Sequence, residues 1–370
     1  MIRATLRYLS LVAALGGGLV QAETWPAAEW QTAETAAGPA LEALQAYAFP
    51  PRDEQVRGGV RTDALLVIRD GVLVYEQYAG PSGPQTPHLA WSATKSLLAC
   101  VLGVAYGEGR FQLGDAVGGY YPPFAAHPQV KLGHLLNWAS GLDWQESYEY
   151  APLKSSVVAM LYTRGREDMA AFVSSHPAAV APGVRSVYSS GDSNVLAAAL
   201  KGMLAPDEYD DYPWRALFEP LGIRSAVWER DTSGTFVGSS YAYLTARDLA
   251  RVGLLMQRNG RWGDRQLLPA AWVAFNRTAF VNPQGAPAAA GEVVPGGHWW
   301  LNQAAPGEAL AWPSAPASTF AALGHWGQAL YVLPEQGLVI VRYADDRDGS
   351  YQHDELLKRA LAVFAPQALP

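Results

Sequence analysis

The chain has 370 residues, of which 49% are hydrophobic and 16% are charged, and its formal net charge is −7. This composition supplies enough apolar side chains for a large buried core and excludes a globally disordered protein. Lys and Arg form no cluster along the chain. Because nucleic-acid binding depends on clustered positive charge, a nucleic-acid-binding protein is not expected.

The first 22 residues are typical of an export signal. Arg3 and Arg7 give a positively charged start, an apolar stretch follows (YLSLVAALGGGLV), and small residues end the segment at Ala22. A retained membrane anchor is the alternative, but the apolar run is shorter than the roughly 20 residues of a spanning helix. We therefore predict a signal peptide at 1–22 and a periplasmic or secreted mature protein without stable membrane insertion.

The N-terminal half predicts a helix, a hairpin and then a helical region. A helix is expected at Ala40–Ala48. The stretch ALLVIRDGVLVYEQYAG predicts two strands, because Asp70-Gly71 is a two-residue turn signal between two β-rich runs. From Ser92 to about residue 250, helical patterns alternate with loops rich in Pro and Gly. A further helix, capped by Thr245, ends at Asn259-Gly260.

The C-terminal part repeats the hairpin pattern. The stretch QALYVLPEQGLVIVRYA predicts two strands joined at Pro334–Gly337, and His353–Phe364 has helical periodicity. Strands near both ends of a helical middle predict an α+β fold, with an antiparallel β-sheet flanked by N- and C-terminal helices and an inserted all-α lobe. We assign 23–370 to one domain, with an α/β lobe at about 40–91 and 250–370 and a helical lobe at about 92–249.

The stretch WSATKSLLAC places Lys95 three residues after Ser92. Residues i and i+3 share one face of a helix, so the hydroxyl and the amine can meet at the helix N-terminus. A serine nucleophile needs a nearby base, and an apolar setting makes a lysine easier to deprotonate. The alternative is a lysine that reaches solvent from an ordinary helix. Cys100, the only cysteine, lies two turns further on and is expected to be a small buried side chain.

A second motif, PGVRSVYSSGDSNVLAAAL, places Tyr188 in a loop before a helix. We expect this helix to begin near Asp192 or Ser193. Tyr188 is therefore a candidate functional residue. The alternative is that Tyr188 is a core aromatic residue and that Ser190 or Asp192 only caps the helix.

A third motif, LGHWGQALYVLP, places His325 between Gly324 and Gly327 at the start of a predicted strand at the sheet edge. Glycine weakens a strand and often marks a place where a ligand approaches the backbone. The alternative is a twisted edge that carries an ordinary surface histidine.

The three motifs, in this order, resemble those of the serine β-lactamase and penicillin-binding protein superfamily. The stretches LGHLLNWASGLDWQE, FEPLGI and YLTARDLARVGLLM are also similar to its class C-like branch, and the similarity covers roughly residues 60–345. Tyr-x-Ser followed by His-x-Gly-Gln looks closest to the 6-aminohexanoate-dimer hydrolases and esterases of that branch.

The resemblance implies a role for each matching residue. Ser92 would be the acylated nucleophile, and Lys95 and Tyr188 would transfer protons. The backbone N–H groups of Ser92 and Gln328 would form the oxyanion hole. The implied substrate-binding residues are His325, Gly327, Ser190, Tyr148 and Trp326. No metal and no cofactor are implied.

We therefore expect an exported serine hydrolase that cleaves an amide or ester bond of a small-molecule substrate through an acyl-enzyme. A β-lactamase or D,D-carboxypeptidase is one alternative. It is disfavoured because Ser190 replaces the usual Asn and His325-Trp326 replaces the usual Lys-Thr. The second alternative is a catalytically silent scaffold or binding module of the same fold. The presence of Ser92, Lys95 and Tyr188 together argues against it.

Thirteen tryptophans are many for this length, and four of them lie in or beside the motifs: Trp91, Trp138, Trp144 and Trp326. A cleft lined by these rings would favour apolar acyl chains or linear amides. Packing in the core is the alternative for each of them.

Overall fold

The computed structural model describes residues 23–149, 151–281, 293–304 and 307–365. The predicted signal peptide at 1–22 lies outside these ranges, so the structure does not bear on it. No helix in the described ranges has both the length and the hydropathy needed to cross a membrane.

The described residues form the following strands and helices. The strands are β1 (Thr62–Arg69), β2 (Val72–Tyr78), β3 (His88–Leu89), β4 (Val227–Trp228), β5 (Ala242–Leu244), β6 (Arg261–Trp262), β7 (Arg265–Gln266), β8 (Val294–Gly296), β9 (Trp299–Leu301), β10 (Phe320–Gly324), β11 (Gln328–Leu333) and β12 (Leu338–Ala344). The helices are α1 (Pro39–Ala48), α2 (Thr94–Gly107), α3 (Leu132–Leu136), α4 (Ser156–Tyr162), α5 (Met169–Ser174), α6 (Ser190–Met203), α7 (Glu219–Leu221), α8 (Ala246–Gln257), α9 (Ala270–Asn276) and α10 (His353–Phe364).

Seven of these strands form one antiparallel sheet in the order β2-β1-β12-β11-β10-β9-β8. The two predicted hairpins are present as β1–β2 and β11–β12, and they are joined through β1–β12 pairing at the centre of the sheet. The predicted α+β fold class is therefore confirmed. The region predicted to be all-α also contains β4 and β5, which pair with β3 in a separate small sheet.

Both faces of the large sheet are buried, and strand β12 shows how. Leu338 and Ile340 point into a cluster that also contains side chains of α1 and α10. Val339 and Val341, which alternate with them, point into the larger core with side chains of α8. Since successive strand residues face opposite sides, a continuous apolar run is what a strand covered on both faces requires. The sheet is thus a fixed platform between two helical layers.

Helix boundaries follow local hydrogen bonds. The Thr245 hydroxyl accepts the Asp248 N–H at 3.1 Å, so α8 begins with the predicted cap. The predicted start of α6 near Asp192 or Ser193 is wrong, because the helix begins at Ser190. Ser189 is its cap and accepts the Asp192 N–H at 3.0 Å. A serine run offers several equivalent capping hydroxyls, so the sequence alone does not distinguish them.

A buried ion pair supports the turn between β10 and β11. The Arg342 guanidinium is fully buried and donates to both carboxylate oxygens of Asp346, at 2.5 and 3.0 Å. It also donates to the Gly327 carbonyl at 3.1 Å. Gly327 has a φ of +87°, and a Cβ at this residue would lie 2.0 Å from Asp346 Oδ2. Only glycine therefore fits between the turn and the ion pair.

We expect Asp346→Ala to lower the free energy of unfolding by about 3–5 kcal/mol, because it leaves Arg342 buried without a counter-charge. Glu355→Ala is the matched control, since Glu355 also pairs with an arginine four residues away, Arg359. The Glu355 side chain is 42% exposed, against 5% for Asp346, so its loss should lower the free energy of unfolding far less. Urea unfolding, monitored by tryptophan fluorescence, measures the free energy of unfolding of both variants. Equal losses in the two variants would contradict the expected difference.

Candidate active site

Ser92 lies at the centre of a short 3₁₀ helix, Trp91–Ala93, which leads directly into α2. Trp91 has a φ of 48°, a left-handed conformation that is strained for a bulky residue. The Ala90 N–H donates to the Ala242 carbonyl at 2.9 Å and fixes the chain just before this bend. Strained backbone of this kind is frequent at functional sites. It places Ser92 at the start of the buried helix α2, as the sequence predicted.

Lys95 is only 1% exposed, and its amine is surrounded by three oxygen acceptors. Nζ lies 3.0 Å from Ser92 Oγ, 3.0 Å from Ser190 Oγ and 2.9 Å from the Ser239 carbonyl oxygen. An ammonium has three N–H donors, so this arrangement satisfies each of them. The alternative of a lysine that reaches solvent is therefore wrong.

Glu146 determines the direction of the hydrogen bonds around Ser190. Its carboxylate accepts the Ser190 hydroxyl at 2.5 Å and the Ser190 N–H at 2.9 Å. Because a carboxylate can only accept, the Ser190 hydroxyl donates to Glu146 and must accept from Lys95. The Ser239 carbonyl is likewise only an acceptor. Two N–H groups of Lys95 are thus fixed, and the remaining position on Nζ faces Ser92.

Burial changes the protonation of Lys95. Desolvation lowers the pKa of its amine to about 8, and the negative charge of Glu146 opposes this shift. A lysine with a pKa of 8 is deprotonated far more often at neutral pH than one at its ordinary value of 10.5. The neutral amine keeps two N–H groups for Ser190 and Ser239 and directs its lone pair at Ser92 Oγ. This geometry suits a general base.

Tyr188 lies beside the Lys95 amine, and Lys95 Nζ is 4.9 Å from the centre of the Tyr188 ring. The ring packs against Trp138 and Trp300, at centroid distances of 4.8 and 5.3 Å. Burial and the charge of Glu146 raise the pKa of the Tyr188 hydroxyl, while a hydrogen bond with the Ser92 side chain lowers it. The net shift is upward, so Tyr188 is a neutral phenol at neutral pH. The Tyr188 hydroxyl can therefore donate a proton.

Four rings contact one another beside Ser92, and we call them the aromatic wall: Trp91, Tyr148, His325 and Trp326. His325 stacks on Tyr148 at 5.2 Å and contacts both tryptophans edge-on or tilted, at 5.5 and 4.6 Å. His325 Nε2 also lies 3.1 Å from Glu149 Oε1. Burial lowers the pKa of this imidazole, and Glu149 opposes the shift. The wall thus joins the loop that carries Tyr148 to the β10–β11 turn.

The β10–β11 turn approaches the Ser92 segment closely. A Cβ at Gly324 would lie 2.4 Å from the Ala90 carbonyl oxygen, so only glycine permits this contact. The Gln328 side chain donates to the carbonyls of His325 and Ala344, at 2.9 and 2.7 Å, and holds the turn in shape. Ser92 and Gln328, the predicted oxyanion residues, are therefore on elements that touch each other.

The predicted position of this turn at the sheet edge is wrong. β10 and β11 are interior strands of the seven-stranded sheet, and His325–Gly327 is the short 3₁₀ connection between them. Two nearby glycines indicate a close approach of the backbone both at an edge strand and in a tight connection between interior strands. The sequence pattern therefore does not distinguish these two positions.

The structure also determines the positions of three other residues. Ser190 was expected to contact substrate, but it is 1% exposed and its hydroxyl is used by Lys95 and Glu146. We therefore assign it to the positioning of Lys95. Trp138 and Trp144 are buried, in agreement with the alternative of core packing. Trp144 donates its indole N–H to Glu146 and so supports the carboxylate.

Sequence reasoning missed Glu146 and Ser239. Glu146 stands two residues before Tyr148 in a stretch already noted for its resemblance, but no spacing rule connects it to Ser190, which lies 44 residues later. Ser239 acts through its backbone carbonyl, which every residue has, so its side chain gives no signal. Buried Cys100, by contrast, packs in the core as expected.

A beta-lactamase family model matches residues 37–363 of this chain. A 6-aminohexanoate-dimer hydrolase of Paenarthrobacter ureafaciens is 26% identical over an alignment of 325 residues, which covers 83% of this chain and 79% of that protein.

Solved structures share the fold over nearly the whole chain. A Bacillus anthracis protein, proposed to be a 6-aminohexanoate-dimer hydrolase, has a TM-score of 0.70 at 19% identity, covering 92% of this chain and 88% of that one. EstCE1, a hydrolase with promiscuous acyltransferase activity, has a TM-score of 0.67 at 17% identity, covering 88% and 98%. Because the family match spans both the sheet and the helical region, this chain belongs to the beta-lactamase family, within the serine β-lactamase and penicillin-binding protein superfamily of hydrolases.

Proposed function

We propose that this protein is an exported serine hydrolase that cleaves an amide or ester bond through an acyl-enzyme on Ser92. One observation carries the proposal. The buried Lys95 amine lies 3.0 Å from Ser92 Oγ and is held there by two further acceptors. A serine hydroxyl is a weak nucleophile, and a base fixed at this distance is what activates it. Export is proposed from the N-terminal segment alone.

In the acylation step, Ser92 Oγ attacks the substrate carbonyl carbon while its proton passes to Lys95 Nζ. The carbonyl oxygen becomes an oxyanion, which the N–H groups of Ser92 and Gln328 stabilise. Tyr188 then donates its proton to the leaving nitrogen or oxygen, the bond to the leaving group breaks, and Lys95 returns a proton to Tyr188. Ser92 is left as an ester of the acyl group.

Deacylation uses the same groups in the reverse sense. A water molecule gives a proton to the Tyr188–Lys95 pair and attacks the Ser92 ester. The ester bond then breaks, and the proton returns to Ser92 Oγ. Glu146 takes no part in these proton transfers. Its hydrogen bonds to Ser190 hold Lys95 in its orientation, and its carboxylate does not contact the substrate.

The aromatic wall and the relatives favour a linear amide or an ester over a β-lactam. The wall offers apolar faces along which an acyl or amine chain can lie. At the β10–β11 turn, His325 stacks on Tyr148 and pairs with Glu149, so it does not offer a free cation to a substrate carboxylate. The similar hydrolase of Paenarthrobacter ureafaciens acts on a 6-aminohexanoate dimer, and EstCE1 is described as transferring acyl groups.

A fluorophosphonate probe is expected to label the wild-type protein once, and Ser92→Ala is expected to take no label. Ser175→Ala, which removes an exposed serine from the helical lobe, is the control and should be labelled like the wild type. Intact-protein mass spectrometry measures the adduct. Labelling that survives Ser92→Ala would sink the proposal, and no labelling by any serine-directed probe would favour the silent scaffold.

Lys95→Ala is expected to reduce turnover of a 4-nitrophenyl ester by about 10²–10⁴-fold, the usual contribution of a general base. The fold should stay intact, as judged by circular dichroism. Full activity in this variant would remove Lys95 from the mechanism. Fluorescent penicillin provides the comparison with the alternative function, because a stable covalent adduct would favour a penicillin-binding role.

The value of kcat/KM is expected to fall as the pH drops through about 8, because protonated Lys95 cannot accept the Ser92 proton. Glu146→Gln removes the negative charge that favours the protonated amine, so this acid limb should move to lower pH. Glu149→Gln makes the same change three residues away, beside His325, and should leave the limb in place. Only five lysines are present, so a ¹³C NMR titration, assigned with Lys95→Arg, measures the same shift without substrate. An unshifted Lys95 resonance in Glu146→Gln would contradict the role given to Glu146.

A further inference from the structure

His298 is a buried residue that contacts the two helices carrying Lys95 and Ser190. It lies in the turn between β8 and β9, is 1% exposed and has a φ of 66°. Its backbone carbonyl accepts the hydroxyl of Ser96, which directly follows Lys95 on α2, at 2.7 Å. Its Nε2 lies 2.8 Å from the hydroxyl of Ser193, which is one turn after Ser190 on α6. The helices that bring Lys95 and Ser190 together are therefore both bonded to this one residue.

The hydrogen bonds of the imidazole determine its tautomer. Nδ1 lies 2.7 Å from the Leu136 carbonyl oxygen, which can only accept, so Nδ1 carries a proton. Burial lowers the pKa of the His298 imidazole to about 3; the bond to Leu136 opposes this shift and the charge of Lys95 adds to it. The ring is therefore neutral at neutral pH, and its Nε2 accepts the proton of the Ser193 hydroxyl. Since both nitrogens are bonded, the orientation of the ring is fixed.

Ser193 and His298 have the 2.8 Å contact of a serine nucleophile and its base. Both side chains are fully buried, however, so a substrate carbonyl cannot reach the Ser193 hydroxyl. The pair therefore does not form a second catalytic centre. Its effect is on the residues that pack around it.

The imidazole ring also supports Tyr188, through Trp138. It stacks on the Trp138 indole, with a centroid distance of 5.0 Å and an angle of 21° between the planes. Trp138 in turn contacts the Tyr188 ring edge-on at 4.8 Å. Trp300, on β9 next to the His298 turn, contacts the Trp138 and Tyr188 rings at 4.8 and 5.3 Å. The position of the Tyr188 ring thus depends on a packed group of rings that His298 anchors.

We infer that His298 is a positioning residue, which holds the Tyr188 hydroxyl where it can give its proton to the leaving group. The inference rests on the proposed function, because it depends on the proton donation by Tyr188. A displacement of about 1 Å at a catalytic group can cost roughly 10²-fold in rate. Only a leaving group that is unstable as an anion needs this proton, so a displaced Tyr188 should be detectable from the choice of substrate.

Two esters with the same acyl group distinguish a displaced Tyr188 from a general loss of structure. 4-Nitrophenyl butanoate releases a stabilised phenolate, which leaves without a proton, whereas the alkoxide of ethyl butanoate has to be protonated as it leaves. The value of kcat/KM covers the steps up to acylation, so hydrolysis of the shared butanoyl-enzyme does not affect it. The ester ratio, defined as kcat/KM for the ethyl ester divided by kcat/KM for the 4-nitrophenyl ester, therefore measures proton donation by Tyr188.

His298→Asn is the main variant, because asparagine also adopts the left-handed backbone of this position but has no ring to stack on Trp138. We expect the ester ratio to fall about 10-fold or more, in the same direction as in Tyr188→Phe. Ser193→Ala removes only the hydrogen bond to Nε2 and should lower the ratio by a smaller factor. Fluorophosphonate titration of Ser92 counts the active sites, so misfolded protein does not enter kcat/KM.

His353→Asn is the matched control, in the helical layer on the other face of the sheet. Burial lowers the pKa of the His353 imidazole as well, to about 4. Its ring packs against Trp312 at 6.0 Å, and its Nδ1 lies 2.5 Å from the Tyr331 hydroxyl. This variant should lower the Tm and leave the ester ratio unchanged.

The outcomes separate the positioning role from the hydrolase. An unchanged ester ratio in His298→Asn and Ser193→Ala, or an equal fall in His353→Asn, would overturn the role of His298 alone. If His298→Asn does not fold, the ratio in Ser193→Ala decides. Turnover of the 4-nitrophenyl ester but not the ethyl ester by the wild type would also overturn it, because Tyr188 would then give no proton. If the wild type hydrolyses neither ester and Ser92 takes no label, the proposed function fails and the inference with it.

Discussion

The hydrogen bonds around the Lys95 amine are the constraint on which the candidate site depends. An amine buried in an apolar core is costly unless its donors are paired. Here the three acceptors come from three separate parts of the chain: Ser92 on the turn before α2, Ser190 at the start of α6, and Ser239 in the loop before β5. Their convergence is possible only when the turn before α2, the start of α6 and the loop before β5 are packed together. The site therefore forms only in the folded state.

Glu146 determines which groups donate and which accept hydrogen bonds around Lys95. Without a carboxylate, the Ser190 hydroxyl could donate to a neutral amine as well as accept from it. With the carboxylate present, Ser190 must accept, and the lone pair of neutral Lys95 is left facing Ser92. The same negative charge keeps the pKa of Lys95 from falling further than about 8. Orientation and basicity are thus adjusted by one residue that touches neither the substrate nor Lys95.

The sequence predicted those parts of the site that depend on local spacing. Ser92 and Lys95 share one helical turn, so their contact follows from their separation, and the hairpins at Asp70-Gly71 and Pro334–Gly337 follow from their turn residues. Contacts between distant segments were not predictable in this way. From the sequence, Ser190 is either a helix cap or a substrate contact. Only the structure shows that Glu146, from another loop, accepts the hydrogen bond of the Ser190 hydroxyl.

The aromatic wall argues for a substrate unlike that of the penicillin-recognising relatives. At the β10–β11 turn, the position that offers a cation and a hydroxyl in those relatives holds His325 and Trp326. The imidazole is stacked and paired with Glu149, and burial lowers its pKa. The turn therefore presents stacked rings rather than a free cation beside the reacting carbonyl. Such a surface suits the apolar chain of an extended molecule better than the carboxylate of a compact bicyclic ring.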